Sequence, residues 1–407
     1  MSTTTTINPT KRRDTPMHTK DTSTDTRPAA VDEENTQPDW SGSVARRSFL
    51  KGVGLAGVAV LPGGALLASQ ALASTTRLTH GDAAILRLLA AAELIESDLW
   101  QQYNELGGVK GGNRAYMAAL SNLDSDMPQY ISDNTDDEFS HAAFLNAYLR
   151  SKGVPPVDLD EFRRLPSSKA TGAKQKGRLT NLLRLDVDTS WYTRYRSTRN
   201  PDLGARFPQA VKIQGEPAIP LNDADTPPNM SQPAPPVGRQ QNRMQAIANT
   251  AGFHFAYIEQ GGSSLYSTMA LKASSLEVLR IIVAIGGVET NHFSLWHDKA
   301  GNAVATPLAG VRDPVTGLFF PNLNNSGGEA TQTNLILPEP CEFIPGLPDC
   351  SIVRPTLDSL GGAVATIKSF TADRLFEGQS ARFFRTVMQL AREADAAQRQ
   401  VTSSHVH

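Results

Sequence analysis

The sequence predicts an all-α protein: a four-helix bundle with a long insertion between its second and third helices. Three observations lead there. Four segments of about 25 residues carry apolar side chains at helical spacing. They form two couples, each joined by a short connection, with a long crossover between the couples. Each of the four places a glutamate among its apolar positions, where a lone carboxylate is costly to desolvate.

The first segment runs from about His80 to Leu106, with Thr79 and Asp82 as a capping box and Gly107 and Gly108 ending it. The second runs from about Pro128, a good first-turn residue, to Lys152, and Gly153 and Pro155 stop it. Together they give 78–153 as the first half of the bundle. The third runs from about Asn242 to Leu271. The fourth opens on Ser274 and Glu277 as a second capping box and reaches about Lys299, giving 242–300 as the other half. Each helix is roughly 37 Å long at 1.5 Å per residue.

The crossover, 154–241, holds the proline-rich "EPAIPLNDADTPPNMSQPAPPVG" and a further helix expected near Leu179 to Arg196. After the bundle, 301–370 forms an irregular extension rich in Gly, Asn, Pro and Thr. In it "TGLFFP" and "TNLILP" predict short hairpins or extended loops. Cys341 and Cys350, the only cysteines, lie there; in an exported protein a disulfide between them is expected over free thiols. A C-terminal helix within 371–402, about Ala372 to Arg399, has widely spread charges and is expected to pack on the bundle rather than inside it.

Residues 1–45, rich in Thr, Asp, Pro and Lys, have too little apolar surface to offset ordering entropy and read as disordered. Residues 46–73 follow a signal-peptide layout: Arg46, Arg47, Ser48, Phe49, Leu50 and Lys51, then a Gly- and Ala-rich apolar run, then Ala71, Leu72 and Ala73. This resembles the bacterial twin-arginine (Tat) signal, with Ala45 in place of the usual Ser or Thr. A membrane anchor is the competing reading, but the run is short and Pro62 breaks it. Cleavage near Ala73, passage through the Tat translocation machinery and a periplasmic or extracellular location are the expectations. That route carries folded proteins, often with a metal already inserted.

With 407 residues and a net charge of −2, the chain can bury a sizeable core but shows no basic surface for nucleic acid. No Ser-His-Asp arrangement, nucleophile elbow or rubredoxin-like cysteine pair is present, and "GGVKGGN" is a turn rather than a phosphate loop.

The carboxylates carry the chemistry. On the fourth helix, Glu289 shares a face with Ile282, Ile285, Phe293, Trp296 and His292. The second helix repeats that Glu-x-x-His pattern with Glu138 and His141, continued by Leu145 and Tyr148. Glu259 lies in line with Phe255 and Tyr266 on the third; Glu93 lies in line with Leu86, Leu89 and Trp100 on the first, with Glu96 one turn on. Glu138 also fits as the partner of Thr135 in a surface capping box. His254 and His297 are each five residues from a ligand position, about 140° round the helix, and His297 reads as a solvated or supporting residue. The glycine pairs Gly261–Gly262 and Gly286–Gly287 thin the wall beside two of the glutamates, or merely let helices pack. Four carboxylates meeting in a core would repel, and two cations would neutralise them.

These stretches, "AAELIESDLWQQY", "DDEFSHAAFLNAYLRSKG", "AYIEQGGSSLY" and "IGGVETNHFSLWHD", resemble the ferritin-like superfamily, in the group of desiccation-related exported ferritin-like proteins. The resemblance covers the bundle, somewhat under half of the mature chain. It implies two Fe or Mn ions, with Glu138 and Glu259 bridging or chelating, Glu289 and either Glu93 or Glu96 completing the set, and His141 and His292 as terminal ligands. The functions it implies are an oxidoreductase acting on dioxygen or peroxide, ferroxidase-like or peroxide-consuming, and a metal-dependent stress-protective protein. A metal-free bundle acting as a scaffold for partners is the alternative. The large inserts would crowd a storage cage, and the sequence leaves the oligomeric state open.

Overall fold

The structure is a computed structural model describing residues 77–194, 208–225, 242–324, 344, 346–351 and 362–400. The chain divides into Met1–Ala71, which lies outside the described residues, and Leu72–His407, to which everything below belongs. The expected disordered stretch, the export signal and the cleavage point near Ala73 all fall outside the described residues.

The helices are α1 (His80–Gly107), α2 (Arg114–Leu123), α3 (Met127–Ser151), the one-turn α4 (Trp191–Arg194), α5 (Arg243–Lys272), α6 (Leu276–Gly301), α7 (Ala363–Ala372) and α8 (Ala381–Asp395). Among the described residues there is no sheet, only isolated antiparallel bridges such as Leu185 with Glu216.

Local chemistry sets the ends of the bundle helices. Thr79 Oγ1 accepts the Asp82 N–H at 3.0 Å at the start of α1. Asn242 accepts the Gln245 N–H at 3.0 Å at the start of α5. Pro128 occupies the first turn of α3, and Gly153 leaves it at φ +72°. The cap of α6 is Ser275 rather than the expected Ser274: its hydroxyl accepts the Val278 N–H at 3.1 Å, while Glu277 reaches Lys152 at 2.9 Å. Nor does Asp82 close a capping box, because its carboxylate accepts the N–H groups of Ser274 and Ser275 at 2.8 and 3.1 Å.

These bonds fix the direction of each helix. Asp82 and the Lys152–Glu277 pair bring the first turns of α1 and α6 and the last turns of α3 and α5 to one end. Asn302 donating to the Leu123 carbonyl at 2.7 Å, and Lys299 paired with Asp124 at 2.6 Å, bring the last turn of α6 beside α2 and the start of α3 at the other. Partners within each couple are therefore antiparallel. The chain leaving α3 must run back along the whole bundle before α5 begins, which is why a long crossover is needed.

The crossover departs from expectation. Leu179 to Thr189 is not helical, and only α4 forms within Leu179–Arg196. Its backbone bonds elsewhere: the N–H groups of Leu179 and Thr180 both go to Asp98 Oδ2 at 2.9 Å, and Leu185 exchanges bonds with Glu216. Leu179, Leu182 and Leu185 are fully buried by this docking.

Three further differences stand out. The connection between α1 and α3 contains α2, capped by Asn113. The single C-terminal helix is two helices, because the Asp373 and Leu375 carbonyls accept bonds from Asp186 and Asn181 of the crossover and Arg374 turns at φ +66°. As expected, α8 packs on the outside, burying Phe383, Val387, Leu390 and Ala394 against α1 and α7. Of the two expected hairpins, "TGLFFP" makes one bridge, Arg312 to Phe319, and "TNLILP" lies outside the described residues. Cys350 is an exposed free thiol among the described residues, and its expected partner, Cys341, lies outside them.

Candidate metal centre

Midway along the bundle, α1, α3, α5 and α6 each turn their glutamate inward. Glu93, Glu138, Glu259 and Glu289 are all fully buried, and His141 and His292 are nearly so. Two sets of ligand atoms converge. One is Glu93, Glu138, His141 and Glu289; the other is Glu138, Glu259, Glu289 and His292. His141 Nδ1 lies 3.3 Å from Glu93 Oε2 and 3.4 Å from both Glu138 Oε2 and Glu289 Oε1. His292 Nδ1 lies 3.2 Å from Glu138 Oε1 and 3.3 Å from Glu259 Oε2.

Each imidazole nitrogen thus faces several oxygens without hydrogen-bonding geometry to any. Glu93 Oε2, Glu138 Oε2, His141 Nδ1, Glu259 Oε2, both oxygens of Glu289 and His292 Nδ1 are buried and make no hydrogen bond. Leaving so many buried polar atoms unmatched is very costly. A shared cation in each set would satisfy them together, so the donor set fits metal ions. Oxygen-rich ligation with one imidazole per ion suits Fe or Mn.

Glu138 and Glu289 belong to both sets, so they are the residues that either of two ions could share. Glu259 belongs only to the His292 set and Glu93 only to the His141 set. The symmetry follows from the two Glu-x-x-His helices facing each other. Between the two candidates on α1, the structure brings Glu93 into the centre and leaves Glu96 out of both sets. Glu96 is buried close by, but three residues falls about 60° short of a full turn. The capping-box reading of Glu138 fails, since Thr135 lies inside α3 and bonds the Ile131 carbonyl at 2.6 Å.

Around the ligands stands a layer that the sequence did not reveal. Asn134 donates to Glu138 Oε1 at 2.8 Å and to Glu259 Oε1 at 3.1 Å, and accepts from Trp296 Nε1 at 2.7 Å. Trp100 Nε1 donates to Glu259 Oε1 at 2.8 Å, and Tyr266 donates to Glu93 Oε1. Asp137 meets His292 Nε2 at 3.2 Å, which turns Nδ1 toward the centre. Two glycines make room: a Cβ at Gly262 would lie 2.5 Å from Glu289 Oε2, and one at Gly286 would lie 2.8 Å from Tyr266 Cβ. Asn134 is one turn before Glu138, and the glycine pairs were visible, but nothing local says which atom each serves.

Burial and mutual repulsion shift the protonation of these groups. Burial and then the Glu138 charge push Glu93 up to about 8. Burial and the neighbouring carboxylates also raise Glu289 and Glu96, and burial raises Glu259. Burial acts the same way on Glu138, but the two imidazoles outweigh it and hold it down to about 2. Burial would lower His141 and His292, yet the surrounding carboxylates raise both well above the usual range.

His254 and His297 stay apart from the centre. His254 is fully buried, pulled down to about 3 by burial, with Nδ1 2.7 Å from the Tyr103 hydroxyl. His297 is buried rather than solvated, packed among Trp191, Tyr192 and Phe293 with ring centroids 5.1 to 5.9 Å away.

No curated protein and no solved structure matches the chain. A family profile described as a ferritin-like domain matches residues 81–302, more than half of the 407 and the whole of the bundle with its crossover. The chain belongs to the ferritin-like domain family.

Proposed function

We propose that the protein is an exported oxidoreductase that holds two Fe or Mn ions and acts on dioxygen or peroxide. The single observation that carries this reading is the convergence of seven unpartnered, buried ligand atoms on two overlapping sets. The ions would be held by Glu93, Glu138, His141 and Glu289 on one side and by Glu138, Glu259, Glu289 and His292 on the other. A pair of such cations supplies the valence change that reduces an oxygen species.

The chain's own part is orientation and water exclusion. Asn134 and Trp100 occupy one oxygen each of Glu138 and Glu259, leaving the opposite oxygens for the centre. Tyr266 does the same for Glu93. Glu289, with both oxygens unpartnered, is the ligand freest to shift its mode of binding. The two histidines are the most exposed of the six, at 7% and 5%, so the remaining ligands are wholly shielded from water.

Metal analysis after native purification tests the reading: about two Fe or Mn per chain are expected. Absence of both metals would leave only the scaffold function, and bound metal without peroxide or dioxygen consumption would favour the protective role. Export is proposed on the Arg46–Arg47 pattern, and replacing both arginines by lysine is expected to retain the protein in the cytoplasm on fractionation.

A further inference from the structure

Two indoles lie against the ligand carboxylates. Trp100 donates directly to Glu259 Oε1, and Trp296 is joined to Glu138 and Glu259 through Asn134. Their rings stack with centroids 5.3 Å apart and planes 24° from parallel. Trp296 then meets Tyr130 edge-on at 6.3 Å. Both tryptophans are fully buried, whereas Tyr130 is partly exposed, with the Lys299 ammonium 5.7 Å above its ring. The rings form an unbroken π contact from a ligand carboxylate to the surface.

The centre needs such a path. Its ligands are buried, so an external one-electron donor cannot touch it. We propose that Trp100, Trp296 and Tyr130 form a one-electron route between the metal pair and the protein surface. This rests on the metal-centre reading above. Trp100 would give up one electron toward an oxidised metal pair, Trp296 would refill Trp100, and Tyr130 would refill Trp296. Lys299 disfavours a cation on the Tyr130 ring, so the phenol releases its proton to water as it loses the electron. A small one-electron reductant at the surface, together with a proton from water, then restores the phenol. One electron enters and one reaches the centre, with no net proton change at Tyr130.

The first test uses the metal-free full-length protein, so it reads the route independently of the metal. An ultraviolet flash ionises tryptophan, and transient absorption follows the indole radical. Its decay is expected to feed a phenoxyl radical, with the phenoxyl yield falling at least threefold in Tyr130→Phe. An unchanged yield overturns the proposal. So does loss of the phenoxyl signal in Tyr103→Phe instead, since Tyr103 lies 5.7 Å from Trp100 on the inner side. The second test loads iron, oxidises it with peroxide and follows its optical bleaching by ferrocyanide. Tyr130→Phe is expected to slow bleaching about tenfold at unchanged metal content, and an unchanged rate overturns the route. Failure to bind iron counts against the metal centre, and the flash experiment still decides the aromatic path.

Discussion

A methyl group at position 262 would lie 2.5 Å from Glu289 Oε2, closer than a real Cβ carbon approaches a neighbouring atom. Glu289 belongs to both ligand sets, so Gly262→Ala has to displace a carboxylate that both ions use. The expected outcome is loss of half or more of the bound metal, read as ions per chain, with the helical circular dichroism kept. Gly287→Ala is the control, since nothing lies within 4 Å of its added carbon. Asn134 is the second test at this scale. Asn134→Ala strips a donor from Glu138 and Glu259 and an acceptor from the Trp296 indole, all buried. A destabilisation of about 1–3 kcal/mol is expected from the stranded groups, measured by denaturant unfolding, together with weaker metal binding. The ligands themselves were legible because their type, spacing and apolar face coincide on four segments. Asn134 was not, because an amide one turn from a glutamate is unremarkable until the Trp296 and Trp100 indoles, from other helices, close around the same carboxylates.

At the level of whole elements, what the sequence revealed depended on whether the deciding bond was local. The starts of α1 and α5 could be read because Thr79 and Asn242 cap residues only three positions away. The extended Leu179–Thr189 run could not, because its backbone partners are Asp98 and Glu216, supplied by other parts of the fold. The same holds for the break between α7 and α8, where the carbonyls of residues 373 and 375 serve the crossover. Asp82 shows how strong such a non-local bond is. Its fully buried carboxylate receives two backbone N–H groups at the α5–α6 corner and so fastens two helical couples together. Asp82→Ala leaves both donors unpaired and is expected to cost about 2 kcal/mol or more, seen as a lower melting temperature. Metal per chain at low temperature should be nearly unchanged, because the centre lies further along the bundle. A variant as stable as wild type would mean that the corner is held by its packing alone.

Protonation couples the centre to the stability of the entire molecule. Glu93, raised by burial to about 8, keeps its proton in the metal-free fold at a pH where the unfolded chain has lost it. A raised group stabilises the fold fully below its unfolded value, 4.5, and that contribution disappears as pH rises through the folded value. Glu289, Glu96 and Glu259 are raised too and act with the same sign. His141 and His292 also add a falling slope, from 6.5 upward, because the unfolded imidazoles shed protons that the folded ones keep. Glu138 acts oppositely, but only where pH falls from 4.5 toward 2. The metal-free protein is therefore expected to lose melting temperature steadily from pH 5 to pH 8. Bound cations take the place of those protons, so metal affinity climbs over the same range and the loaded protein gains on the metal-free one. Calorimetry at several pH values, with and without Mn(II), reads both slopes. Glu93→Gln, which has no proton to lose, is expected to flatten the metal-free slope, whereas a metal-free melting temperature that rose with pH would contradict a centre built from crowded carboxylates.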